Sequence, residues 1–173
     1  MTNIYLTGYR CTGKTSIGKM LAGKMAFDFV DADEWLVNDA GMSVARIVEQ
    51  FGWDDFRNRE SAILKKISAG KNQVVATGGG VILRDNNRSI MKETGTVVWL
   101  KASVSTIAAR MDGDEKTQGQ RPGLTDKGAI LEIEETLIKR IPMYKQAMDF
   151  SVDTDGKDLD DICHVILNEM GIL

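Results

Sequence analysis

Short apolar runs alternate along this chain with stretches whose apolar positions recur every three to four residues. The runs predict buried strands at 3–7, 27–31, 73–77, 96–100 and 149–152. The helical spacing, seen first in Ile17, Met20, Leu21 and Met25, predicts helices at 14–25, 33–40, 43–50, 53–69, 85–93, 103–111, 126–147 and 158–170. This alternation is that of an α/β fold: a five-stranded parallel sheet with helices on both faces, a three-layer α/β/α sandwich. Ligands of such sheets bind beyond the carboxyl ends of the strands, so chemistry is expected just after each strand.

Two segments depart from the alternation. Residues 33–69 hold more helix than a crossover needs, and they open at a strand end, where an insertion can build a pocket. Residues 112–124 are polar and glycine-rich without periodicity, the character of a lid or binding loop. The expected organisation is one domain over 1–173, with a core of 1–32, 70–111 and 125–173, an insertion at 33–69 and a lid at 112–124. Composition narrows the partners. A net charge of −3 argues against a broad nucleic-acid surface, and no apolar run approaches the length of a membrane span. Two cysteines, Cys11 and Cys163, show no pairing signature, which points to a reducing, cytoplasmic compartment. The first predicted strand begins almost at Met1, so no leader is expected.

Gly8-Tyr9-Arg10-Cys11-Thr12-Gly13-Lys14-Thr15 reads G-x-x-x-x-G-K-[ST] between a predicted strand and a predicted helix. That context is the one a phosphate-binding loop requires. Its glycines let the backbone wrap an anion, and its N–H groups and the helix N-terminus point at the phosphates. Lys14 would reach the β- and γ-phosphates, and the Thr15 hydroxyl would ligate Mg²⁺.

Other candidates follow strand ends. Asp31 and Asp33 close the second strand, and residues two apart in extended chain face the same way. One could hold Mg²⁺ through water while the other orients or deprotonates a hydroxyl; alternatively, Asp33 simply caps the next helix. Arg57 and Glu60 share a helix face. An Arg held by a Glu is oriented to clamp a carboxylate, or the two form a solvated ion pair worth little. Thr77-Gly78-Gly79-Gly80 follows the buried run Val74–Ala76, where three glycines suggest a tight turn or a close ligand, against a plain loop. No acidic residue of a Walker B strand stands there. Arg110 ends a helix, Arg121 lies in the lid, and Arg140 precedes Pro142. A helix-end Arg can satisfy terminal carbonyls, and a lid Arg can neutralise charge in a transition state. Arg59 reads as surface and His164 as structural. The methionines read as core, and the three tryptophans show no stacking pattern with basic residues.

Together these segments resemble the shikimate kinase family over the length of the chain. The resemblance rests on Gly8–Thr15, Asp31 and Asp33, Phe56-Arg57-Asn58-Arg59-Glu60, Gly78–Gly80, Arg121-Pro122, and Arg140-Ile141-Pro142-Met143-Tyr144. It implies a nucleoside-monophosphate-kinase-like fold with sheet order 2-3-1-4-5 and phosphoryl transfer from MgATP to the 3-hydroxyl of shikimate. Asp33 would bind the acceptor hydroxyls and act as base. Arg57 and Arg140 would hold its carboxylate, Glu60 would orient Arg57, and Gly78, Gly79 and Gly80 would line the acceptor. Lys14 and Arg121 would stabilise the transferring group. Thr15 would bind Mg²⁺ directly and Asp31 through water. Gly8, Arg10, Cys11, Thr12, Gly13, Lys14, Thr15 and Ser16 would bind the nucleotide, with Arg121, and with Arg110 and Asp155 at the adenine. A monomer is expected.

Three departures from the family pattern carry expectations of their own. Cys11 stands where Gly or Ala is common, so the loop forms with a thiol beside the phosphates. Gly123 replaces an apolar lid residue and adds flexibility. The acidic run at 112–116 and Asp155 imply modest nucleotide affinity. Two rival readings are another small-molecule kinase of the same fold and a non-catalytic nucleotide-binding module.

Overall fold

The computed structural model describes residues 2–113 and 128–173. Its strands are β1 (Asn3–Thr7), β2 (Asp28–Asp31), β3 (Gln73–Ala76), β4 (Gly95–Lys101) and β5 (Phe150–Asp153). Its helices are α1 (Lys14–Met25), α2 (Ala32–Ala40), α3 (Val44–Ser68), α4 (Asp85–Thr94), α5 (Val104–Asp112), α6 (Ala129–Ala147) and α7 (Leu159–Glu169), with a 3₁₀ turn at Val81–Leu83. All strand pairs are parallel and the order is β2-β3-β1-β4-β5, as the resemblance implies.

Side-chain alternation along the strands divides the core in two. Tyr5, Val75, Val97 and Trp99 face α2, α3, α4 and α6, meeting Leu36, Ile47, Phe56, Ile63, Met91 and Tyr144. Ile4, Leu6, Val74, Val98, Leu100 and Val152 face α1 and α7, meeting Ile17, Leu21, Ile162 and Ile166. Both faces of the sheet are thus apolar, which is why its strands read as continuous hydrophobic runs.

The two helices expected at 43–50 and 53–69 form one element, α3, interrupted at Gly52, whose φ of 81° and ψ of 171° are not helical. Ser43 caps its start through a bond from Arg46 N. The break lets the second half of α3 turn Phe56, Arg57 and Glu60 toward the carboxyl end of the sheet. The expected lid from 114 onward, with Arg121 and Gly123, and the first residues of the helix expected at 126–147 lie outside the described residues.

Candidate active site

The phosphate-binding loop has the conformation its sequence demands. Gly8 has φ +148°, and a Cβ there would meet the Leu100 carbonyl oxygen at 2.5 Å. Gly13 has φ +91° immediately before α1, and Cys11 itself adopts φ +61°. Lys14 Nζ donates to the Gly8 and Tyr9 carbonyls at 3.0 and 2.7 Å. Thr12 Oγ1 donates to the same Tyr9 carbonyl at 2.8 Å. The ammonium is therefore held over the loop where it can meet phosphate.

The acidic pair divides differently from the strand-face expectation. Asp31 ends β2, and its Oδ1 accepts from the backbone N–H groups of Asp33 and Glu34, so Asp31 caps α2 and Asp33 already lies in the first helical turn. The strand-face argument fails because the chain turns helical at Ala32, and the cap is Asp31 rather than Asp33. The outcome still separates two roles. Asp31 Oδ2 accepts from the Thr15 hydroxyl at 2.9 Å, beside the phosphate loop. Asp33 points into a neighbouring cleft.

That cleft has an empty volume of about 550 Å³, including its open mouth. Asp33, Arg57, Glu60, Arg140 and the backbone of Gly78–Gly80 line it, with Trp53 and Phe56 on one wall and Tyr9 and Arg10 on another. Arg57 Nη1 donates to Glu60 Oε2 at 2.7 Å. Its guanidinium lies 4.9 Å from the Phe56 ring centre and 5.5 Å from that of Trp53. The tryptophan–basic stacking that the sequence does not suggest is therefore present, at i and i+4. Glu60 is 5% exposed, and its Oε1 is buried without a hydrogen-bond partner among the described residues. Burial pushes its carboxyl above the ordinary value, outweighing the opposite pull of Arg57, and Asp33 pushes the same way. This is no solvated surface pair. Arg140, also buried, donates to the Gly79 carbonyl at 3.1 Å.

Gly78 and Gly80 answer to space rather than to left-handed backbone. A Cβ on Gly78 would lie 2.5 Å from Glu60 Oε1 and 2.8 Å from Asp33 Oδ1. One on Gly80 would lie 2.3 Å from Arg57 Nη2. One on Gly79 would touch the Gly8 carbonyl oxygen at 3.4 Å, so this turn packs directly on the phosphate loop.

Three residues expected at the nucleotide take other partners here. The Arg10 side chain turns to the cleft and pairs with Glu132 of α6 at 2.5 Å, both nearly buried. Arg110 donates to the Cys11 carbonyl and to Thr154, tying the phosphate loop to the end of β5. Asp155 accepts from Ser103 N. Burial would raise its carboxyl, but hydrogen bonds from Ser103 and Thr106 outweigh that and hold it below the ordinary value. Sequence reasoning missed the aromatic wall around Arg57 and the Arg10–Glu132 pair. The first had a signal in the four-residue spacing of Trp53 and Arg57; the second, 122 residues apart, had none.

The family model described as shikimate kinase matches residues 10–171. A shikimate kinase of Thermodesulfovibrio yellowstonii is 41% identical over 98% of this chain and 95% of its own length. One of Rhodopirellula baltica is 38% identical over 95% of this chain and 88% of its own. Among solved structures, that of shikimate kinase from Acinetobacter baumannii in complex with shikimate superposes with a TM-score of 0.91 at 30% identity, covering 98% of this chain and 93% of that one.

Proposed function

The chain belongs to the shikimate kinase family, and from that premise we propose that it transfers the γ-phosphate of ATP to the 3-hydroxyl of shikimate, releasing ADP and shikimate 3-phosphate. One observation carries the reading. Two guanidinium groups and an aspartate converge in a cleft whose wall is the phosphate loop itself. A carboxylate-bearing polyol satisfies that set; a neutral sugar has no anionic group to offer the two guanidinium groups that meet there.

Positioning and charge stabilisation suffice for this chemistry, with no covalent enzyme intermediate. Arg57, fixed by Glu60 and its aromatic wall, and Arg140 hold the acceptor carboxylate. Asp33 accepts the proton of the attacking hydroxyl. Lys14 spreads the charge of the transferring group, and Arg121, which lies outside the described residues, supplies a second cation. The Thr15 hydroxyl and the Asp31 carboxylate form an oxygen-only donor pair that suits Mg²⁺ completed by water and phosphate. When bound, Mg²⁺ neutralises phosphate charge. Arg110 and Asp155 flank the adenine side. The compartment that suits a chain whose cysteines, Cys11 and Cys163, show no pairing signature in the sequence is the cytoplasm.

The test is a coupled assay of ADP formation by the purified chain with shikimate, with gluconate, with nucleoside monophosphates and with no acceptor. Turnover confined to shikimate is the expected result. Equal turnover with gluconate would favour the other small-molecule kinase, and ATP binding without any turnover would favour the non-catalytic module.

A further inference from the structure

The segment Arg140–Tyr144 ends in a tyrosine to which the reaction above gives no part. Tyr144 is fully buried, and its ring lies flat against Trp99, 5.3 Å between centres and 8° between planes. Its hydroxyl donates to the Gly79 carbonyl at 2.8 Å. Arg140, one helical turn earlier, donates to the same oxygen at 3.1 Å. Both lone pairs of that carbonyl are thereby engaged. The Gly79 C=O and the Gly80 N–H belong to one planar trans peptide and point in opposite directions. Within a run of three glycines such a plane meets little steric resistance to turning over.

We propose that Tyr144 is a positioning residue for the acceptor: its hydroxyl locks the Gly79–Gly80 peptide, which aims the Gly80 N–H and fixes the guanidinium of Arg140. The proposal rests on the reading of the cleft as the shikimate site. Three features support it. The hydroxyl and Arg140 share one acceptor atom, so loss of either leaves the peptide held by a single bond. The stack on Trp99 fixes the ring independently of the hydroxyl, so the oxygen is the part free to serve the glycine turn. Burial raises the Tyr144 phenol far above its ordinary value, so it stays a donor at any working pH.

Tyr144→Phe removes only that oxygen. Tyr5→Phe is the matched control: Tyr5 is equally buried, and its hydroxyl bonds Thr94 at 2.7 Å, away from the cleft. Initial rates would be measured against shikimate and against MgATP, alongside melting temperatures. The Gly80 amide would be followed by NMR in ligand-free, ¹⁵N-labelled protein. For Tyr144→Phe the expected results are a KM for shikimate about 3- to 10-fold higher, the factor one neutral hydrogen bond supplies, with kcat and the KM for ATP nearly unchanged and the Gly80 amide shifted or broadened. Tyr5→Phe should lose comparable melting temperature and show neither change. A KM for shikimate within twofold of wild type, or the same KM change in Tyr5→Phe, overturns the proposal, as does an unaltered Gly80 amide. Failure of the wild-type chain to use shikimate would instead remove the functional reading, and the amide comparison would still decide the peptide lock.

Discussion

Gly80→Ala adds one methyl group where the cleft has no room for it. That methyl would stand 2.3–2.5 Å from Nη2, Nη1 and Cζ of Arg57, whereas ordinary contact begins near 3.4 Å. The guanidinium must therefore retreat by about 1 Å, and it is boxed in. Glu60 holds it at 2.7 Å, and the rings of Phe56 and Trp53 flank it at 4.9 and 5.5 Å. Left-handed backbone is not involved, because Gly80 has φ −107°, a negative value that alanine can adopt. Disrupting a buried, hydrogen-bonded charge pair in a binding site costs about 2–5 kcal/mol. The lower part of that range applies here, because burial already raises the Glu60 carboxyl and proton uptake relieves it once Arg57 withdraws. At about 1.4 kcal/mol per tenfold, a cost of about 2–3 kcal/mol is a rise of about 30- to 150-fold in the KM for shikimate. The KM for ATP should stay within about twofold, since the Lys14 and Thr15 contacts named above do not involve Gly80. The assay is ADP formation over a matrix of both substrates, with a thermal melt to establish folding. A folded Gly80→Ala protein with an unchanged KM for shikimate, or an equal rise for ATP, would refute the packing argument.

Asp33→Ala should abolish phosphoryl transfer while leaving ATP binding, measured by calorimetry, nearly intact; equal loss of both would place the residue on the nucleotide instead. Glu60 sets a pH signature. Its folded carboxyl lies above the ordinary value of 4.5, so the native state holds that proton more tightly than the unfolded chain. Its contribution to stability is present below that value and is lost as pH rises through the raised one. Urea midpoints of wild type should therefore fall relative to Glu60→Gln as pH climbs from about 4.5, and parallel curves would count against a buried, destabilised carboxylate. Gly23→Ala is the counterpart of Gly80→Ala. Among the described residues nothing lies within 4 Å of a methyl at Gly23, in the last turn of α1, so thermal melts should show a gain of up to about 0.5–1 kcal/mol, the helix-interior value, with unchanged kinetics.

Strands and helices were legible because each has a single dominant cause. The Asn3–Thr7 run needs only burial within the sheet and the Ile17/Leu21 stripe only burial against one of its faces, and burial leaves a pattern in the sequence. The phosphate loop was legible because its motif is contiguous: the glycines, Lys14 and Thr15 that define it all lie within Gly8–Thr15, although Arg110 and Glu132 also brace it from afar. Asp31 and Asp33 were legible as functional but not as to which does what. The strand-to-helix transition falls between them, and a one-residue difference in where β2 ends exchanges cap for cleft. Gly78–Gly80 announced a special turn without its reason. Only the folded chain shows that Gly78 and Gly80 make room for carboxylates and a guanidinium arriving from α2 and α3. The Arg10–Glu132 pair joins segments with no common pattern, and nothing in a linear reading links them.

The order of the sheet explains why these distant segments form one site. β1 is central, β3 lies beside it, and β2 lies beyond β3. Parallel pairing brings all three carboxyl ends to the same edge, in register Leu6 to Ala76 and Ala76 to Asp31. The loop after β1 must then lie one strand spacing, about 4.8 Å, from the turn after β3. Thr77 fastens the two with backbone and side-chain bonds to the Leu6 carbonyl at 3.1 and 3.0 Å. The residue that follows the fastening, Gly78, lies against the carboxylates of Glu60 and Asp33, and only glycine leaves them their space, while the next, Gly79, packs on the Gly8 carbonyl of the phosphate loop. The end of β2 arrives on the far side of that turn, which is why Asp31 reaches Thr15 while Asp33 faces the cleft. The donor loop and the acceptor cleft share a wall because their strands are neighbours. A change that shifted β3 by one residue against β1 would displace Gly78–Gly80 from beneath Arg57 and Arg140 while leaving Gly8–Thr15 intact, uncoupling acceptor binding from nucleotide binding.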